Sequence, residues 1–181
     1  MEFSLFNLMS LNHADETPAE VMATTVDAVQ LAEQIGFDIS WFAEHHFSSA
    51  SICASPLMMV AHCAPLTRRI RLGPAVVVLP LYHPLRAVQE IGMVQLMAPG
   101  RILLGIGSGH QPHEFRTFGI DLSARTQLLH EGWDILEQGL TTGRVAYDGE
   151  HYRIPEAPIC LPSTMPRLYL AGNDPSLIAR A

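Results

Sequence analysis

The sequence predicts an α/β fold built on a parallel sheet, and three observations predict it. Five short β-prone runs alternate with helical segments along 181 residues. The helical segments open with a polar residue followed by proline, as at Thr17-Pro18 and Ser55-Pro56, which puts a cap and a pre-set φ at the first turn. The strongest β run, Ile70 to Leu79, is apolar almost throughout, as suits a strand covered on both faces. Strand–helix alternation favours parallel strands joined by helical crossovers. An open doubly wound sheet and a barrel both satisfy this pattern.

The elements follow in order. Glu2 to Leu8 carries Phe3, Leu5 and Phe6 and reads as the first strand. Thr17-Pro18-Ala19-Glu20 forms a capping box, and Met22, Val26, Val29, Ala32 and Ile35 fall at helical spacing before Gly36, which can end the helix. Phe37 to Ala43 is the second strand, and Glu44-His45-His46-Phe47 follows at once. Leu57 to Ala64 is the second helix, Ile70 to Leu79 the third strand, and Leu85 to Met97 the third helix, stopped by Pro99-Gly100. Arg101 to Ile106 is the fourth strand and ends in Gly107-Ser108-Gly109. Ser123 to Gln138 is the fourth helix, closed by Gly139. Val145 to Ile154 holds Asp148-Gly149 between two β-prone runs, the signal of a hairpin inserted before the next strand. Arg167 to Ala171 is the fifth strand, and Gly172-Asn173-Asp174-Pro175-Ser176 leads into a last helical start.

Composition narrows the function classes. At 48% hydrophobic and 16% charged residues the chain is that of a globular domain. Its net charge of -7, with no basic run, argues against nucleic acid or an anionic membrane as partner. No window approaches the length of an apolar membrane span, and Met1 to Met9 lacks the basic start of a signal peptide. Three cysteines, Cys53, Cys63 and Cys160, suit a reducing cytoplasm better than a disulfide scaffold.

In either architecture, ligands bind at the carboxyl ends of the strands. His13, His45, His46 and His83 lie just past predicted strand ends, and His110 and His113 just past the glycine turn. The turns at the opposite end, Gly36-Phe37 and Thr67-Arg68-Arg69, carry no comparable cluster. These polar residues are therefore expected to gather around one ligand. A histidine at a strand end exchanges protons near neutral pH, or it simply caps a helix; the residues alone leave both open. Metal binding is not expected, because neighbours on an extended segment point to opposite faces and no His-x-x-x-His or Cys-x-x-Cys pair is present. Gly73-Pro74-Ala75-Val76, inside the best strand, marks either a plain irregularity or a close backbone approach to a flat ligand. Gly105 to Gly109 follows a strand but lacks the dinucleotide and P-loop spacings. Asn173 to Ser176 is either an ordinary cap or an anion-binding helix start.

Ordered blocks of the sequence resemble one family. Gly36-Phe37-Asp38 through Trp41-Phe42-Ala43-Glu44-His45-His46-Phe47 is similar to the second-strand block of the bacterial luciferase-like flavin-dependent monooxygenases. Arg69 to Gly73 and Leu79-Pro80, His83 to Arg86, Pro99 to Gly109, and Glu114-Phe115 with Phe118-Gly119-Ile120 match in the same order. The resemblance implies a (β/α)8 TIM barrel of roughly 250 residues. Residues 1–181 would then be one such domain, incomplete at its C-terminus, with about five βα units and the hairpin near 145–154 as an excursion.

The same resemblance implies a monooxygenase that uses reduced FMN (FMNH2) and O2 to oxidise a small organic substrate, in the manner of alkanal monooxygenase. A separate flavin reductase would supply the cofactor, and a homodimer fits the family. His45 falls at the catalytic acid–base position, with His46 behind it. Ala75 and Val76 fall where the family carries a non-proline cis peptide packed on the flavin ring. Gly107 and Ser108 match the segment that contacts flavin and phosphate, and Gly172, Asn173 and Ser176 the turn that receives the phosphate. Ser108 departs from the luciferase α subunit, which carries arginine there. Two alternatives stand beside this expectation: an F420-dependent oxidoreductase on the same fold, and a non-catalytic flavin-binding fragment.

Overall fold

A computed structural model describes residues 1–161 and 164–180. The strands are β1 (Ser4–Asn7), β2 (Ile39–Phe42), β3 (Arg71–Pro74), β4 (Val77–Val78), β5 (Leu103–Gly107), β6 (Arg144–Asp148), β7 (Arg153–Pro158) and β8 (Arg167–Ala171). The α-helices are α1 (Pro18–Gln34), α2 (Pro56–Cys63), α3 (Pro84–Met97), α4 (Pro112–Phe118), α5 (Arg125–Thr142) and α6 (Pro175–Ile178). No helix among the described residues is long and apolar enough to cross a membrane.

The main strands are all parallel, and their lateral order follows the chain. β1 pairs with β2 and β2 with β3; β4 pairs with β5 and β5 with β8. The two groups meet where Leu72 bridges Ile102 and its N–H donates to the Arg101 carbonyl at 2.9 Å. A doubly wound sheet reverses its strand order at a switch point. Here the order never reverses, which sets the sheet apart from a doubly wound one.

Local signals account for most elements. Thr17 caps α1 through a complete capping box with Glu20, and Gly36, at φ +94°, ends it. The packed stripe of α1 is Val21, Thr25, Val29 and Ala32; Met22 and Ile35 from the predicted stripe face outward. The predicted third strand is interrupted: β3 pairs with β2 and stops at Pro74, the Ala75–Val76 peptide is cis, and β4 pairs instead with β5. Gly73 permits close approach, since a Cβ there would sit 2.8 Å from the Leu103 carbonyl oxygen.

Two expectations about helices are corrected. α5 does not close at Gly139 but runs on to Thr142, with Gly143 in the left-handed region as its stop. Gly139 is a packing residue: a Cβ would lie 2.7 Å from Val88 Cγ1 on α3. α4 was not expected, although Pro112 at its start and left-handed Gly119 at its end delimit it. The hairpin is present as β6 and β7, with Asp148 opposite Arg153. Its loop is held on α5 by the Glu131 carboxylate, which accepts the N–H groups of Glu150, His151 and Tyr152.

The core lies between the sheet and its helices, with Leu72, Ile91, Leu104, Ile106, Leu129, Ile135, Leu136 and Leu140 fully buried. Each such side chain contributes about 1.5–3 kcal/mol of burial. At the amino ends of the strands the polar groups serve the fold. The Glu33 carboxylate accepts the N–H groups of Arg68, Arg69 and Ile70. The Arg101 guanidinium donates to the carbonyls of Ala64, Thr67 and Ile70.

Candidate active site

The carboxyl ends of β2, β4, β5 and β8 open on one cleft of about 400 Å³, a size within the roughly 300–1,000 Å³ of small-molecule sites. Its floor is apolar, made by Ala43, Ala75, Val76, Val78 and Ala171. Polar groups converge on it from the loops that follow the strands. Seven of the residues singled out in the sequence line it: His45, Ala75, Val76, Gly107, Ser108, Gly172 and Asn173. His110 also lines it.

His45 and His46 diverge, as adjacent residues on extended backbone must. The His45 side chain lines the cleft, is 26% exposed, and places Nδ1 3.3 Å from Glu114 Oε1. His46 turns behind the cleft. Its Nε2 lies 3.0 Å from Glu44 Oε1, and its ring meets Phe118 edge-on at 4.9 Å. Glu44 Oε2 accepts the Val78 N–H at 3.2 Å and the Tyr82 hydroxyl at 3.0 Å. Burial pushes the Glu44 carboxyl above its ordinary range, against the lowering effect of these bonds. Burial first, and the Glu44 charge second, push the Cys53 thiol up to about 12 and the Tyr82 hydroxyl well up.

The glycine turn after β5 is shaped by contact. A Cβ on Gly107 would meet Val76 Cγ2 at 2.8 Å and the Ala171 carbonyl oxygen at 3.1 Å. Gly109 adopts φ +72°, and a Cβ there would lie 2.6 Å from Val78 Cγ1. The half-buried Ser108 brings a hydroxyl and no charge. Arg125, the first residue of α5, lines the cleft instead. One arm of its guanidinium donates to the Leu122 carbonyl at 3.2 Å. Among the described residues around the cleft it is the one permanently charged cation.

Ser176 lies outside the cleft. Its hydroxyl and N–H both donate to the Asp174 carboxylate, which holds that carboxyl below its ordinary range. His130 Nε2 lies 2.9 Å from the same hydroxyl. The other strand-end histidines do not all converge. His113 sits behind the cleft with Nε2 3.2 Å from the His46 carbonyl, His83 packs edge-on to Tyr152 at 5.8 Å, and His13 is exposed on its loop.

Sequence reasoning places Glu114 in a matching block but gives it no role, and it does not single out Arg125. Glu114 sits on the unexpected α4, whose proline start and glycine stop were the available signal. Arg125 follows a short turn that Asp121 caps through the Ser123 N–H, and nothing local marks it as facing the cleft.

The residues present fit a flavin. An apolar floor suits a ring system, the glycine turn and Gly172 bring backbone close, and Arg125 offers a counterion for a phosphate.

Comparisons with known proteins give the family and the fold. The chain is 42% identical over 184 residues to the uncharacterized protein y4vJ of Sinorhizobium fredii, covering 100% of this chain and 52% of y4vJ. It is 34% identical over 140 residues to the alkanal monooxygenase alpha chain of the Kryptophanaron alfredi symbiont, covering 77% and 39%. The chain thus spans about half or less of the length of these relatives. The oxygenating constituent of 3,6-diketocamphane monooxygenase from Pseudomonas putida, solved in complex with FMN, superposes with a TM-score of 0.84 at 21% identity, over 94% of this chain and 51% of that one. The coenzyme F420-dependent tetrahydromethanopterin reductase of Methanopyrus kandleri gives 0.74 at 19% identity, over 98% and 52%. The profile of the luciferase-like monooxygenases matches residues 1–181 from end to end, and the chain belongs to that family.

Proposed function

We propose that the cleft binds reduced FMN and that the whole protein oxidises a small organic substrate with O2, as an oxidoreductase of the alkanal-monooxygenase type. The observation that carries this is the convergence of His45, the glycine turn at Gly107–Gly109 and Arg125 on a single apolar-floored cleft. Arg125 would hold the phosphate, with Gly172 and Asn173 beside it. Ala75, Val76 and Gly107 would face the ring, and Ser108 its polar edge. When bound, reduced FMN supplies two electrons, so that one oxygen atom leaves as water while the other enters the substrate. For an aldehyde the balance is RCHO + O2 + FMNH2 → RCOOH + H2O + FMN.

The chain's own residues supply binding and proton handling. His45 moves protons at the reacting oxygen and orients the substrate carbonyl. The apolar floor keeps water from the reacting face. His46 acts through Glu44, holding the end of β2 in place. Ser176, tied to Asp174 and His130, lies outside the cleft and shapes the turn that follows Asn173. A separate reductase would deliver the reduced flavin. The naming of the Pseudomonas relative as an oxygenating constituent supports that division.

Ser108 favours a second reading, hydride transfer from F420 on the same fold, because it stands where the luciferase α subunit carries arginine and leaves Arg125 as the one cation offered to a phosphate. Fluorescence titration with FMN and with F420 separates the two. Under 18O2, with a reductase and a panel of aldehydes, the first reading expects label in the carboxylate product. Tight F420 binding with turnover in the absence of O2 would replace it by the second.

A further inference from the structure

We infer that Glu114 is a positioning residue for His45, holding its imidazole in the tautomer with hydrogen on Nδ1 and leaving Nε2 as the free base at the cleft. The inference rests on the acid–base role proposed for His45. It is carried by the way α4 clamps the end of β2. Glu114 Oε1 lies 3.3 Å from His45 Nδ1 and accepts the His46 N–H at 2.9 Å. His113 Nε2, one residue earlier, lies 3.2 Å from the His46 carbonyl. Three contacts thus join α4 to two consecutive residues of the β2 end, at sequence separations of 67 to 69 residues.

The chemistry of these partners is one-sided. An ionised carboxylate accepts and does not donate. The ring nitrogen facing it must therefore carry the hydrogen, and in a neutral imidazole the other nitrogen then keeps the lone pair. Glu114 is 2% exposed, and a buried carboxylate needs donors. The His46 N–H and His45 Nδ1–H are the donors the structure provides. Glu44 cannot take over, because its oxygens are engaged by His46, Val78 and Tyr82. Each histidine of the pair thus has its own carboxylate. An acid residue behind a catalytic imidazole fixes tautomer and orientation in the same way elsewhere. Phe47, next in the chain, sits at φ +57°, a conformation costly for a side chain of this size. The clamp from α4 holds the backbone on the N-terminal side of that residue.

The test needs no flavin. The full chain, labelled with 15N in histidine, is examined by two-bond 15N–1H correlation at a pH where the ring is neutral, with the His45 signals assigned by their loss in His45→Gln. The expected result is a protonated Nδ1 and an unprotonated Nε2. Glu114→Gln keeps a carbonyl acceptor and should keep this pattern, whereas Glu114→Ala should lose it. Hydrogen found on Nε2 in the wild-type chain overturns the inference, as does an unchanged pattern in a folded Glu114→Ala. If Glu114→Ala does not fold, the wild-type and Glu114→Gln spectra still decide. Failure of FMN to bind would sink the proposed function while leaving this result standing, so the two fail separately.

Discussion

Replacing Arg125 by glutamine should weaken FMN and leave riboflavin almost untouched. The two ligands share the ring system and differ in the phosphate. Arg125 lines the cleft half-buried, with one arm of its fork anchored on the Leu122 carbonyl at 3.2 Å. The anchor leaves the other donors of the guanidinium for an anion and reduces the entropy lost on binding it. Hydrogen bonds to a charged group contribute about 1.5–3 kcal/mol, and roughly 1.4 kcal/mol is a factor of ten, so the dissociation constant for FMN should rise about 10- to 150-fold. Glutamine keeps the helix start and a polar, hydrogen-bonding side chain while removing the charge and the reach of the guanidinium. Quenching of flavin fluorescence on titration with the chain measures both ligands at one ionic strength, with the loss falling toward the low end as salt rises. Equal weakening of FMN and riboflavin would show that Arg125 merely shapes the cleft. No change in either would place the phosphate elsewhere. Both results refute the assignment.

Gly139→Ala tests the contact between α3 and α5. Helix propensity favours alanine by about 1 kcal/mol, but its Cβ would stand 2.7 Å from Val88 Cγ1 and 3.1 Å from Val145 Cγ2, and overpacking costs about 1–3 kcal/mol. A net loss of up to about 2 kcal/mol in urea unfolding is expected, and adding Val88→Ala should recover part of it; a variant more stable than wild type would contradict the tight contact. Thiol reactivity should separate the cysteines, since burial pushes Cys53 up to about 12 and Cys63 up to about 11 while Cys160 is exposed. At pH 8 only about one Cys53 in ten thousand would be ionised, so a thiol reagent should modify one cysteine quickly in the folded chain and all three in guanidinium. Glu33 makes acid sensitivity local. Although partial burial opposes ionisation, the N–H groups of Ile70, Arg69 and Arg68 bring its carboxyl below 4.5. Its contribution is therefore complete above about pH 4.5 and is lost as the pH falls through the lowered folded value. Thermal unfolding of Glu33→Gln should show a weaker fall in midpoint over that interval than the wild type, and identical slopes would refute the role.

How much was legible depended on the range of each signal. Caps and breakers act within a few residues, so Thr17-Pro18, Ser55-Pro56, Gly36 and the Asp148-Gly149 hairpin could be read directly. Asp174-Pro175 opens α6 in the same way, whereas His83-Pro84 and Gln111-Pro112 open α3 and α4 with proline but no side-chain cap bond, so α4 carries the weaker local signal. Gly139 misled for a different reason. A glycine in a helix reads locally as a stop, whereas its cause here is Val88, on another helix. Met22 and Ile35 are apolar and hold the helical spacing, yet among the described residues they stay 39% and 65% exposed, so spacing alone overstates the packed stripe of α1.

The residues by themselves determined the alternation of strands and helices, the end of the sheet where polar groups collect, and the segments that meet there. These follow from periodicity, capping and chain direction, which are properties of short stretches. Tertiary structure alone decided which of those groups share the cleft. One residue of pleat sends His45 inward and His46 back toward Phe118, and the packing of α4 and α5 brings Glu114 and Arg125 to a strand end far from them in the chain. Long-range proximity is set by how helices seat on the sheet, and no short window of sequence carries that information.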